Sequence, residues 1–173
     1  MLILRRPSGA LTSILFAVGL GLAACGQGPS PTSSPSRTLL QQQYLAAANA
    51  YNVAEAPIAQ AEASHCNPTG PTADLAQCQT ALAQDRQATR TFDRAIRAIN
   101  FESAQRGDVA KLLANDSALE TLLQQGAAAS SLTAATPLFA QIAQRYSEAT
   151  TDADRLRTDL GLPATTPPAT PST

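Results

Sequence analysis

The chain has no tryptophan, one histidine, one methionine and only three cysteines among its 173 residues. These shortages exclude whole classes of chemistry. A single histidine, His65, leaves no pair for bis-histidine haem ligation, and the lone methionine is Met1, in a segment expected to be removed. A zinc site built on His65, Cys66 and Cys78 lacks the fourth ligand that a closed site needs. A Ser-His-Asp triad would have to use that same histidine at a helix end. There is no Glu-x-x-His pair of the kind that builds di-iron bundles, and no Gly-rich phosphate loop. The sequence therefore predicts no metal, no cofactor and no catalytic residue. Lys111 is the only lysine, and 12 basic residues face 13 acidic ones, so no basic footprint marks a nucleic-acid partner. Aromatics make up 4% of the chain, so any core must be built from aliphatic side chains and alanine.

A long apolar run is missing too. The longest, from Ala10 to Ala24, falls short of the roughly 20 residues of a spanning helix. Its length does suit the apolar region of a secretory signal, and Arg5 and Arg6 supply the basic flank before it. The run closes on Leu22-Ala23-Ala24-Cys25, which resembles the bacterial lipobox. In that family the cysteine thiol is joined to diacylglycerol and the chain is cut just before it. The resemblance implies a lipoprotein: residues 1–24 a signal peptide, Cys25 the lipidated N-terminus, palmitate or a similar acyl chain on it. The implied location is the extracytoplasmic face of the cell membrane, with the membrane itself as a partner. Acylation with more than one chain suffices for stable anchoring. Loss of Arg5 and Arg6 with the signal would take the formal charge from −1 to −3.

Cys25 accounts for the odd cysteine. Cys66 and Cys78 then remain, and an even number in an oxidising compartment predicts a disulfide. Between them Asn67-Pro68 and Gly70-Pro71 are turn signals.

Residues 26–37, GQGPSPTSSPSR, read as a disordered Gly/Ser/Pro linker, and residues 163–173, PATTPPATPST, as a disordered tail. Between them, at 38–162, alanine is abundant and β-branched residues are sparse, so the fold class expected is all-α, an antiparallel four-helix bundle. The first helix should run from about Thr38 to Ala63, burying Tyr44, Ala47, Tyr51, Ala54 and Ile58, with a kink or break near Val53 imposed by Pro57. The second should span about Thr72 to Glu102, with Leu75, Cys78, Leu82, Asp85, Thr89, Phe92, Ile96 and Ile99 on one stripe. Gly107-Asp108 should form a turn and cap for a third, about Asp108 to Gln125, with Val109, Leu112, Asp116, Leu119 and Leu123 on one face, stopped by Gly126. After a connection at 127–135, Thr136-Pro137 should start the fourth, striped by Phe139, Ile142, Tyr146, Ala149, Ala153, Leu156 and Leu160, which Gly161 and Pro163 end.

The second half also resembles small secreted or lipid-anchored actinobacterial proteins with alanine-rich helical domains. The residues that carry this are Ala114-Asn115-Asp116-Ser117-Ala118-Leu119 and the segment Asp154 to Pro163, within about residues 105–163. That resemblance implies no particular activity.

Two carboxylates stand out. Asp85 and Asp116 fall on otherwise apolar stripes, and buried carboxylates need partners. They are expected to form a buried polar pair bridged to arginines, to be exposed by a rotation of the helix faces, or to make a ligand contact inside the bundle. Arg86, Arg90, Arg94 and Arg97 line one edge of the second helix, a surface fit to dock an acidic partner. The function expected is a non-enzymatic interaction or accessory module of the cell envelope, with an envelope protein as partner. The alternative is a helical bundle holding a small or apolar ligand between its helices.

Overall fold

The computed structural model describes residues 36–163. The signal, Cys25, nearly all of the linker and most of the C-terminal tail lie outside the described residues. Those described form four helices and no strand: α1 (Arg37–His65), α2 (Leu75–Ala98), α3 (Arg106–Ala127) and α4 (Leu132–Asp159). Close backbone packing joins α1 to α2, α2 to α3 and α3 to α4. None of these helices is long and apolar enough to cross a membrane.

Three helices start where a short polar side chain meets the free N–H groups of a first turn. Ser36 Oγ accepts from Leu39 N at 3.4 Å, Asp74 Oδ1 from Gln77 N at 3.0 Å, and Ser131 Oγ from Ala134 N at 3.1 Å. These caps correct several expected boundaries. Arg37 belongs to α1, not to the linker. Helix α2 begins at Leu75, after Asp74, and not at Thr72. Helix α4 begins at Leu132, which leaves Pro137 inside it. Thr136 does not cap; its hydroxyl donates to Leu132 O at 3.1 Å. Helix α3 opens on Gln105 without a side-chain cap, and Asp108 sits in its first turn, where an acid suits the helix dipole.

Pro57 does not break α1, which is helical on both sides of it. Proline removes the bond to the carbonyl four residues back, that of Val53. Val53 is 75% exposed, so that carbonyl lies on the wet side of the helix, where the lost bond costs least. Gly126 likewise does not stop α3. It is buried within the helix, and a Cβ there would come within 2.9 Å of Leu82 Cδ1, so its lack of a side chain lets α2 and α3 approach. Helix α4 ends on Gly161 at φ +73, with Leu162 N donating to Arg157 O and Gly161 N to Thr158 O. Arg37 Nε and Gln41 Nε2 of α1 donate to Leu160 O at 3.2 and 2.7 Å, satisfying a carbonyl at that helix end.

The core has two apolar ends. One gathers Leu40, Tyr44, Ile96, Phe101, Leu112 and Leu156 near the start of α1 and the end of α4. The other gathers Leu82, Leu119, Leu123 and Ile142 around Cys66 and Cys78. The two cysteines are joined as a disulfide, their Cα atoms 4.9 Å apart. Their loop is tied further: Asp74 N donates to His65 O at 3.1 Å, and Thr72 Oγ1 to Ser64 O at 2.6 Å.

Candidate functional site

Between these ends the buried faces turn polar. On α1 the residue buried after Ala47 is Glu55, 4% exposed, while Ala54, expected inside, faces solvent. On α2 the buried positions between Leu82 and Ile96 are Asp85, Thr89 and Asp93. On α3 Asp116 lies between Leu112 of one end and Leu119 of the other, while on α4 Asp152 is buried beside them, between Ala149 and Leu156 of the first end. The middle of the bundle is an acidic waist.

Asp85 and Asp116 are both buried, at 0% and 4% exposure, but they do not partner each other. Asp85 accepts a hydrogen bond from the Tyr146 hydroxyl of α4. Burial, then the neighbouring Tyr51, Asp85 and glutamates, push the Tyr146 phenol far up, so it stays a donor. Asp116 instead hydrogen-bonds to Asp93 across the α2–α3 contact. Two carboxyls joined in this way must hold a proton. Burial, the Asp93 charge and its hydrogen bond, and the charges of Glu120 and Asp152 raise Asp116 to about 8. Burial raises Asp93 as well, against the pull of Asp116 and Arg97. The arginine partner expected for Asp116 is replaced by an acid. Arg97 reaches the other side of that pair, 3.6 Å from Asp93.

Asp152 follows a more ordinary pattern. It accepts from Asn115 Nδ2 at 2.5 Å and pairs with Arg155 at 3.2 Å. Asn115 Oδ1 in turn accepts from Arg145, which pairs with Glu148 at 2.6 Å. Tyr44 donates to Ala153 O at 3.4 Å, and burial above all raises its phenol to about 12.

His65 lies at the disulfide loop, its Nδ1 2.9 Å from Thr72 O. Cys66 and Cys78 are committed to each other, and among the described residues no group of three or more His, Cys, Asp or Glu could hold a metal.

The sequence reading missed Glu55, Asp93 and Asp152. Asp152 was readable: it stands three residues after Ala149 and four before Leu156, which is helical spacing. Asp93 and Glu55 each follow an apolar stripe residue, Phe92 and Ala54, by one position. A small rotation of the helix decides which of two neighbours is buried, and only packing sets that rotation.

On the outer face of α2 and α3 lie two adjoining open clefts, each of about 290 Å3. One is polar, lined by Arg90, Asp93, Arg94, Arg97 and Glu120. The other is mainly apolar, with Ile99, Phe101, Val109 and Leu113 beside Arg97 and Arg106. No protein-family model, curated protein or solved structure matches the chain.

Proposed function

We propose that this protein is a non-enzymatic, extracytoplasmic accessory module of the cell envelope, anchored to the membrane by acyl chains on Cys25. The observation that carries the non-enzymatic part is the fate of its acids. Asp85 and Asp116 do not converge on an open cleft; each is buried against a different partner, Tyr146 and Asp93. A carboxylate mechanism needs a proton-transfer group within reach of substrate, and these groups point into the bundle. What faces outward is the charged and apolar α2–α3 surface, which suits binding. The disulfide supports an oxidising compartment, and the lipobox-like Leu22-Ala23-Ala24-Cys25 supports the anchor.

Fractionation of cells tests the anchor. The wild-type chain should sediment with membranes. Cys25→Ser should either leave the membrane or accumulate with its signal uncleaved. Normal cleavage with undiminished membrane association would refute the lipid anchor.

A further inference from the structure

We infer that the two clefts of the α2–α3 face form one binding site for a single-chain amphiphile with an anionic head. The head sits against the guanidinium groups of Arg94 and Arg97, and the alkyl arm lies over Ile99, Val109, Ala110 and Leu113. This names the ligand class for the accessory module proposed above, but its test does not depend on the Cys25 anchor.

The site arises from how α2 ends. Ile99 leaves the helix with φ −80 and ψ 127, and the chain turns back toward α3. Ile99 and Phe101 tuck inward, at 9% and 5% exposure, and floor a groove between the last turn of α2 and the first turns of α3. No acid lines this apolar groove, while Arg97 and Arg106 stand at its sides. Arg106 Nε is oriented by Phe101 O at 3.3 Å.

Charge accounting identifies the head. Arg90 is committed to Glu120 at 2.5 Å. Arg97 is only loosely held, 3.6 Å from Asp93, and its side chain is 59% exposed. Asp93 is itself hydrogen-bonded to Asp116. Arg94 donates to the neutral Thr91 hydroxyl at 3.1 Å and is ion-paired to no described residue. Two guanidinium groups one helical turn apart therefore face solvent with charge to spare, on a chain whose overall balance is acidic. Planar guanidinium forks match phosphate and carboxylate oxygens. Arg97 lines both clefts, so an anion held there has its substituent directed along the apolar groove. The cleft volumes lie at the lower end of small-molecule sites, about 300–1,000 Å3, which fits one slender molecule.

The test is calorimetric titration of the oxidised full chain carrying Cys25→Ser, so that no acyl group of its own competes. Decyl phosphate and decanoate are the probes, below their micellar concentrations, with decanol and inorganic phosphate as controls. At least one anionic amphiphile should bind one per chain, at least tenfold more tightly than decanol or inorganic phosphate. Preference for decyl phosphate would indicate a phospholipid-like source, and preference for decanoate a fatty acid; either supports the site. Arg94→Gln with Arg97→Gln, and separately Ala110→Glu, should each weaken binding at least tenfold. All three positions are solvent-exposed, so circular dichroism should report an unchanged fold. Absence of saturable binding, equal affinity for decanol, or indifference to both variants would overturn the proposal.

Discussion

The apolar ends and the acidic waist of this bundle are built from the same helices but obey different physics. At the ends, Leu82, Leu119, Leu123 and Ile142, or Leu40, Ile96 and Leu156, are removed from water, and each buried side chain is favourable by itself. In the waist, burial is unfavourable by itself. Asp85, Asp93 and Asp116 are tolerated only through a phenol or a shared proton, and Asp152, at the edge of the first end, through an amide and a guanidinium. Some of the cost remains: Thr89 Oγ1 is buried without a protein hydrogen-bond partner. The ends supply stability, and the waist makes that stability depend on pH.

Breaking an end should have the largest effect. Leu123, fully buried beside the disulfide, is the best target. Leu123→Ala should lower unfolding free energy by about 2–5 kcal/mol in urea denaturation. A loss under about 1 kcal/mol would mean that this end is loosely packed. Removing the staple at the same end comes next. Cys66→Ser with Cys78→Ser should lower stability by about 3 kcal/mol, the loop-closure entropy of a link this short. The same urea series checks it, and an unchanged midpoint would show that packing alone closes this end.

The waist should respond to pH more than to truncation. A free aspartate in the unfolded chain titrates near about 4, whereas Asp116 is raised to about 8 in the fold. The native state therefore binds more protons between these values. Its stability is fully present below the lower value and is lost as pH rises through the higher one. The domain should melt at a higher temperature at pH 5 than at pH 8, with a limiting slope of up to about 1.4 kcal/mol per pH unit for one proton. Asp116→Asn keeps a hydrogen-bonding side chain but cannot ionise. Its melting temperature should vary less between pH 5 and pH 8 than that of the wild type. An equal dependence in both would remove the shared proton from the account.

Legibility followed the same division. Leu82, Leu112, Leu119, Leu123, Ile96 and Leu156 stood on helical stripes in the sequence and are buried in the structure, because apolar spacing reports burial directly. The acids at 85 and 116 were legible for the same reason, as interruptions of those stripes. Their partners were not. Nothing along the chain links Asp116 to Asp93 or Asp85 to Tyr146; those pairings depend on which faces α2 presents to α3 and α4. Helix boundaries failed where two start signals competed. Thr136-Pro137 is a good signal, but Ser131 lies upstream with a free side chain and caps first. Pro57 would break a helix in the core, but at a solvent-facing position the helix continues.

The sequence by itself determined the helical class, the four segments and the cysteine pair. Each is a matter of local composition, apolar period or residue chemistry. Only the tertiary structure decided the rest. It buried Glu55 instead of Ala54, joined Asp93 to Asp116, and opened the α2–α3 clefts beside Arg94 and Arg97. Helix rotation and approach arise from packing between segments distant in the chain, and no local pattern encodes them.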